Sequence, residues 1–229
     1  PVVSIVGIAD GERRSGPVTI TFTATDAHLT SVSGDLDGQP WASGSTVTTH
    51  GAHELDVSAV DAAGNTTQAR VRFEIDLVPP TVSMVSPSEG SVTASSSVEL
   101  VVLATDDAAV AQVTVSGVVM ALVDGLYCHT VSLTEGLNTF TATARDTAGN
   151  TADAIVTVRR DSTAPVLGVT APAEGARIGA LAVEVRGTVT DATDVTLTVN
   201  GETVPVVGGA FSWMVTLQSG DNAITTRAV

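Results

Sequence analysis

The chain has 229 residues, 43% of them hydrophobic but only 3% aromatic, and carries 25 acidic against 10 basic side chains for a formal net charge of −15. Acidity spread this evenly repels nucleic acid and anionic membrane and draws cations to the surface. Every Lys/Arg position is arginine, which excludes lysine-centred chemistry, including the lysine–asparagine crosslinks that harden some pilins, and no hydrophobic run reaches membrane-spanning length.

Taken in order, the chain opens with a divergent copy of a repeat. "VTITFTATD" and "ARVRFEID" alternate β-branched or aromatic residues with polar ones, the period-two pattern of half-buried strands. A linker, "DLVPP", leads into a second copy with seven expected strands near 81–86, 97–105, 110–116, 118–123, 126–133, 137–145 and 151–160. A second linker, "DSTAP", leads into a third copy with six, near 166–170, 181–190, 194–200, 202–207, 210–217 and 221–229. The copies repeat at 85 residues: Asp61, Gly64, Asn65, Asp76 and Pro80 recur as Asp146, Gly149, Asn150, Asp161 and Pro165, and Pro87, Glu89, Gly90 and Asp106 recur as Pro172, Glu174, Gly175 and Asp191. A period of that size is too long for a solenoid unit and suits a small domain.

The expected fold is therefore all-β: tandem immunoglobulin-like sandwiches of seven antiparallel strands, without the cysteine pair of antibody domains and with the third lacking its last strand. The expected boundaries are 1–78, 79–163 and 164–229. The third copy stops one residue before its counterpart of Asp146, so a longer parent chain or a strand donated by another subunit is expected to complete it.

"DAAGN" and "DTAGN", each followed by a strand and then by "D…PP" or "DSTAP", resemble the tandem Ig-like domains of bacterial secreted and surface proteins. The third copy, "VRGTVTDATDVTLTVNGETVPVVGGAFSWMVTLQSGDNAI", is similar to the Ig-like B-domain type first named in glucodextranase. The resemblance covers nearly the whole chain and implies fold; such modules serve adhesins, stalks, filaments and enzyme appendages alike.

The motif has a local role in either case. Aspartate accepts backbone N–H bonds in a tight turn between the last two strands, and glycine or asparagine takes up a positive φ at little cost. Strand parity adds a sharper expectation. The loop after the second strand, the loop before the seventh and the incoming linker all fall at one pole of a sandwich. Asp76 is thus expected near Asp106 or Asp107 and Asp146, and Asp161 near Asp191 or Asp194 together with the acidic residue expected just beyond Val229. Clustered hard oxygen ligands at a junction suit Ca²⁺, although no EF-hand spacing is present.

No catalytic set emerges. His28, His50, His53 and His129 are scattered, and no phosphate loop, nucleophile elbow or His-Glu metalloprotease motif occurs. Cys128 is single and expected on a strand surface, opposite a core face formed by Tyr127, His129, Val131 and Leu133. Trp41 is expected as a packing plug rather than a sugar platform. The reading is a non-catalytic stalk, spacer or fibre segment of a bacterial surface protein, with other domains of its parent, copies of itself, or a surface protein or glycan as partners. A carbohydrate-binding appendage of a secreted glycosidase and a filament subunit built by strand exchange are the alternatives.

Overall fold

The computed structural model describes residues 1–229. It is built of strands joined by turns and loops, with no helix, so none that is long and apolar enough to cross a membrane. The chain divides into two compact units: Pro1–Glu89, Val98–Val131 and Thr139–Thr157 form one, and Gly90–Ser97, Ser132–Asn138 and Val158–Val229 form the other.

The first eight strands are β1 Val2–Val6, β2 Glu12–Arg14, β3 Val18–Thr25, β4 Leu29–Leu36, β5 Gln39–Trp41, β6 Ser45–Val47, β7 Gly51–Asp61 and β8 Thr66–Ile75. They make a three-stranded sheet, β1-β3-β6, and a five-stranded sheet, β2-β8-β7-β4-β5. The alternation in the sequence becomes burial: Val18, Ile20 and Phe22 of β3, Leu55 and Val57 of β7, and Val71, Phe73 and Ile75 of β8 point into one apolar cluster.

The next nine are β9 Thr81–Ser86, β10 Ser91–Thr93, β11 Ser97–Thr105, β12 Val110–Val115, β13 Val118–Val119, β14 Ala121–Val123, β15 Leu126–Ser132, β16 Gly136–Asp146 and β17 Thr151–Arg160. Their sheets run β14-β15-β11-β9 and β10-β17-β16-β12-β13. A second cluster gathers Leu100, Val102, Val113, Val115, Ala142, Ala144 and Val156. The last six are β18 Val166–Ala171, β19 Ala182–Thr190, β20 Leu197–Val199, β21 Glu202–Val204, β22 Ala210–Thr216 and β23 Thr226–Ala228, in sheets β18-β19-β22 and β21-β20-β23. Val185, Leu197, Val199, Val204, Phe211 and Val215 form the third cluster. The fold is that of tandem β-sandwiches, each core assembled from the inward faces of two sheets.

Several strands differ from their expected extent. The entry strand of the first two sandwiches is split. At Gly11 and Gly90, with φ of +77° and +72°, the chain turns out of one sheet, and the short β2 and β10 then pair parallel with β8 and β17 in the other. Acidic side chains brace these crossings: Asp10 accepts the Arg72 N–H at 2.8 Å, and Glu89 accepts the Thr157 N–H at 2.8 Å. The stretch expected as one strand over 118–123 is also divided. Met120, 3% exposed, lies between β13, which pairs with β12, and β14, which pairs with β15. In the third sandwich β20 and β23 are each three residues long, against the longer runs expected over 194–200 and 221–229.

Candidate metal centre

Asp106 and Asp146 owe their placement to strand parity. In β16 the inward positions Ala142 and Ala144 are followed two residues later by Asp146, which is 2% exposed. In β11 the inward Val102 and Ala104 are followed in the same step by Asp106. Each carboxylate thus occupies the core-facing register one position past the last apolar residue. Asp76 arrives from the linker directly after β8 and is fully buried, with its N–H donated to the Arg14 carbonyl at 2.8 Å.

Asp76, Asp106 and Asp146 each offer a carboxylate oxygen to one small volume, and those atoms lie within 4.8 Å of one another. One oxygen of each is already engaged locally. Asp76 Oδ1 accepts the Val78 N–H, Asp106 Oδ1 those of Ala108 and Ala109, and Asp146 Oδ1 those of Gly149 and Asn150. The second oxygens are differently placed. Asp146 Oδ2 accepts the Asn150 side-chain amide at 2.7 Å, while Asp76 Oδ2 and Asp106 Oδ2 are buried with no hydrogen-bond partner. Leaving a buried anionic oxygen unpaired costs several kcal/mol, about 1–3 even for a neutral group.

His50 and Asp107 form a second grouping with Asp76. His50 Nδ1 lies 3.7 Å from Asp76 Oδ1 but accepts the Leu77 N–H at 3.1 Å, and Nε2 faces Asp107 at 3.6 Å. With Nδ1 accepting, the neutral ring carries its proton on Nε2, where a metal would need a lone pair. This grouping is therefore a poor nitrogen-ligand site, and Asp107 belongs to its exposed rim.

Asn150 ties the cluster to the linker. Its amide donates to the Asp76 carbonyl at 2.9 Å and to the Val78 carbonyl at 3.3 Å, besides Asp146. Sequence reading finds Asn150 only as a turn residue; the "D-x-x-G-N" spacing marks the turn but carries no signal of this longer reach. In the sister turn the aspartate and asparagine side chains bond only within the turn. Asp61 Oδ1 accepts the Ala63 and Asn65 N–H groups at 2.9 Å and Oδ2 the Asn65 amide at 2.8 Å, with Gly64 at φ +84°. The Asn65 amide, helped by those backbone groups, holds the Asp61 carboxyl below the ordinary carboxylate range.

At the second linker Asp161, Asp191 and Asp194 do not gather into such a group. Asp161 Oδ2 instead accepts the Thr193 hydroxyl at 2.7 Å, which heads the interactions that lower its pKa, and Asp191 Oδ1 turns back onto the Ala192 N–H. The position that answers to Thr193 one repeat earlier is Ala108, which has no hydroxyl to give Asp76.

The remaining candidates sit in the cores. Trp41 packs on the first cluster, Tyr127 and Phe140 on the second and Trp213 on the third, while Phe22, Phe73 and Phe211 are members of theirs. All seven aromatic side chains are thereby used in packing. Of the inward face expected around β15, Tyr127 and Val131 pack on the second cluster and Leu133, just past the strand, is 5% exposed, whereas His129 joins no cluster and is half-buried like Cys128.

The model of the family "glucodextranase, domain B" matches residues 80–162 and again 165–229. Among solved structures, fibronectin(III)-like modules of CbhA from Clostridium thermocellum are 18% identical over 70% of this chain and 95% of theirs, with a TM-score of 0.47. A three-Ig segment of titin is 12% identical over 99% and 92%, at 0.48. A Ca²⁺-stabilized adhesin with which an Antarctic bacterium binds ice is 22% identical over 100% of this chain and 72% of that one, at 0.37. Comparison with curated proteins gives no match. With two adjoining copies of the matched domain accounting for well over half of its residues, the chain belongs to the glucodextranase domain B family.

Proposed function

We propose that the chain is a non-catalytic spacer of three Ig-like domains, 1–78, 79–163 and 164–229, working as a stalk or fibre segment of a bacterial surface protein outside the cell. Three separate apolar clusters, one inside each of these spans, support the division. The observation that carries the function is the joint at Asp76–Pro80. A linker between independent beads would leave its carbonyls to water. Here Asn150 of the following domain binds the carbonyls of Asp76 and Val78, and Arg13 of the preceding one donates to Thr147 Oγ1 at 2.9 Å. Pro79 and Pro80 restrict the same segment further. A joint held from both sides transmits length and direction, which is what a spacer supplies.

The use of all seven aromatics in packing weighs against the carbohydrate-binding alternative, since sugar platforms rely on exposed rings. The test is Asn150→Ala in the full chain, with Asn65→Ala as its control, because Asn65 makes the same turn but reaches no linker. Asn150→Ala is expected to speed proteolytic cleavage within residues 77–80 and to broaden the distribution of end-to-end distances in small-angle scattering; Asn65→Ala is expected to change neither. A wild-type chain that already samples bent shapes freely would defeat the spacer reading.

A further inference from the structure

We propose that Asp76, Asp106 and Asp146 bind one Ca²⁺, which locks the linker that carries Asp76 against the two loops that carry the other ligands. Three observations point to a cation. The carboxylates share one volume, with their oxygens within 4.8 Å of one another, a span that matches ligands on opposite sides of an ion at about 2.3–2.6 Å. Asp76 is fully buried, and its Oδ2 is unpartnered, as is Asp106 Oδ2. No arginine lies within ion-pair distance of any of the three, and His50, the one positive candidate, faces Asp76 with a nitrogen that is already accepting the Leu77 N–H.

The chain contains its own comparison. At the other linker the same kind of aspartate, Asp161, accepts the Thr193 hydroxyl on its Oδ2. At the first linker, Ala108 stands where that hydroxyl would be. Asp161 Oδ2 thus has a side-chain hydroxyl donor, whereas Asp76 Oδ2 has none. The short Asx-type bonds on the Oδ1 atoms fix the orientation of each carboxylate, so the site is organised before an ion arrives.

Ion identity follows from the donors. All three ligands are hard oxygens without nitrogen or sulfur, which disfavours zinc and copper. Mg²⁺ holds ligands at about 2.0–2.1 Å and is usually bound through one or two carboxylates with several waters retained, whereas Ca²⁺ accepts three carboxylates with water and carbonyl oxygens filling six to eight positions.

The inference deepens the spacer reading, and its test separates the two. The full chain, stripped with a chelator, is titrated with CaCl₂ and separately with MgCl₂ by calorimetry, and its melting is followed with and without the ion. Binding of one Ca²⁺ per chain is expected, with melting of the unit that contains the site raised by about 10 °C at roughly 100 times Kd. Asp76→Asn and Asp106→Asn are expected to weaken Ca²⁺ by about 100-fold or more, beyond what loss of an orienting neighbour does. Asp191→Asn, away from the cluster, is expected to leave affinity unchanged. Ala108→Thr, which supplies the missing hydroxyl without removing a ligand, is expected to raise melting in chelator and reduce the gain from Ca²⁺. Should Asp76→Asn fail to fold, Asp106→Asn and Ala108→Thr carry the same reading. Absence of binding at millimolar Ca²⁺, equal stabilisation by Mg²⁺, or an unchanged affinity in Asp106→Asn would each overturn the assignment. A chain that stays extended but ignores Ca²⁺ loses the ion alone; one that binds Ca²⁺ yet bends freely loses the spacer reading alone.

Discussion

His53 is one of three polar or charged residues buried in the chain, at 9% exposure, and its surroundings explain why it is tolerated. Its Nδ1–H donates to Asp37 Oδ2 at 2.6 Å, its Nε2 meets Thr49, and its ring packs 5.4 Å from that of Phe73. Asp37 in turn accepts the Glu54 N–H at 2.8 Å from a positive-φ position in the β4–β5 turn. Partial burial works against ionisation of Asp37, but the bonds from His53 and from the Glu54 backbone prevail and lower its pKa. A carboxyl whose folded pKa lies below its ordinary 3.8 stabilises the fold fully above that value and loses its contribution as pH falls through the folded one. Asp37→Asn is therefore expected to cost about 1 kcal/mol at neutral pH, below the ~1.5–3 kcal/mol of a hydrogen bond to a buried charged group because the Asp37 side chain is 44% exposed and screened by solvent. It is also expected to flatten the acid side of the stability profile. Urea unfolding of wild type and variant between about pH 3 and pH 6 measures both; parallel profiles would show that the Asp37 carboxylate is not what His53 depends on.

Among the elements, β19 shows how closely a strand can depend on one absent side chain. Gly187 lies opposite Val169 of β18 and Phe211 of β22 in its ladder. A Cβ there would come within 2.1 Å of the Gly168 carbonyl oxygen and 2.5 Å of the Phe211 ring. The ring can shift; the backbone oxygen cannot without breaking the β18–β19 pairing. Gly187→Ala is expected to destabilise the third core by about 1–3 kcal/mol, or more if the ladder parts. Loss of protection from hydrogen exchange in Val166–Ala171, with the first core unchanged, is the signature to look for. The long strands were legible in the sequence because each alternates cleanly: "VTITFTAT" maps directly onto an in–out burial pattern. β2 and β10 were not, since "ERR" and "SVT" are three-residue parallel edges whose pairing is set by the glycine turn before them rather than by any apolar face. The Asp76–Asp106–Asp146 cluster was legible through the same parity, carried one step beyond the strand ends. The bond from Thr193 to Asp161 was not, because no periodicity reports a single side-chain donor.

Across the whole molecule, the question is how a chain with 25 acidic and 10 basic side chains stays folded, and which electrostatic effect dominates. Six arginines, Arg13, Arg14, Arg70, Arg72, Arg160 and Arg186, sit in ion pairs. These are mostly surface pairs, worth about 0–1 kcal/mol each, and at contact distance they lie well inside any screening length used in solution. The net charge acts over a different range. Fifteen excess negative charges over 13178 Å² of surface leave one per roughly 900 Å², or neighbours about 30 Å apart. That spacing equals the Debye length of about 30 Å at 0.01 M salt and far exceeds the ~8 Å at 0.15 M. Monovalent salt therefore removes most of the mutual repulsion while leaving the contact pairs nearly intact. The unfolded chain, being expanded, feels less repulsion to begin with. Raising KCl from about 10 to 150 mM in chelator-treated buffer is accordingly expected to raise the melting temperature, and Asp or Glu to neutral substitutions at exposed, unpaired sites such as Asp124 or Glu202 are expected to shrink that gain. A melting temperature that falls with KCl would mean that the arginine pairs outweigh the surplus charge.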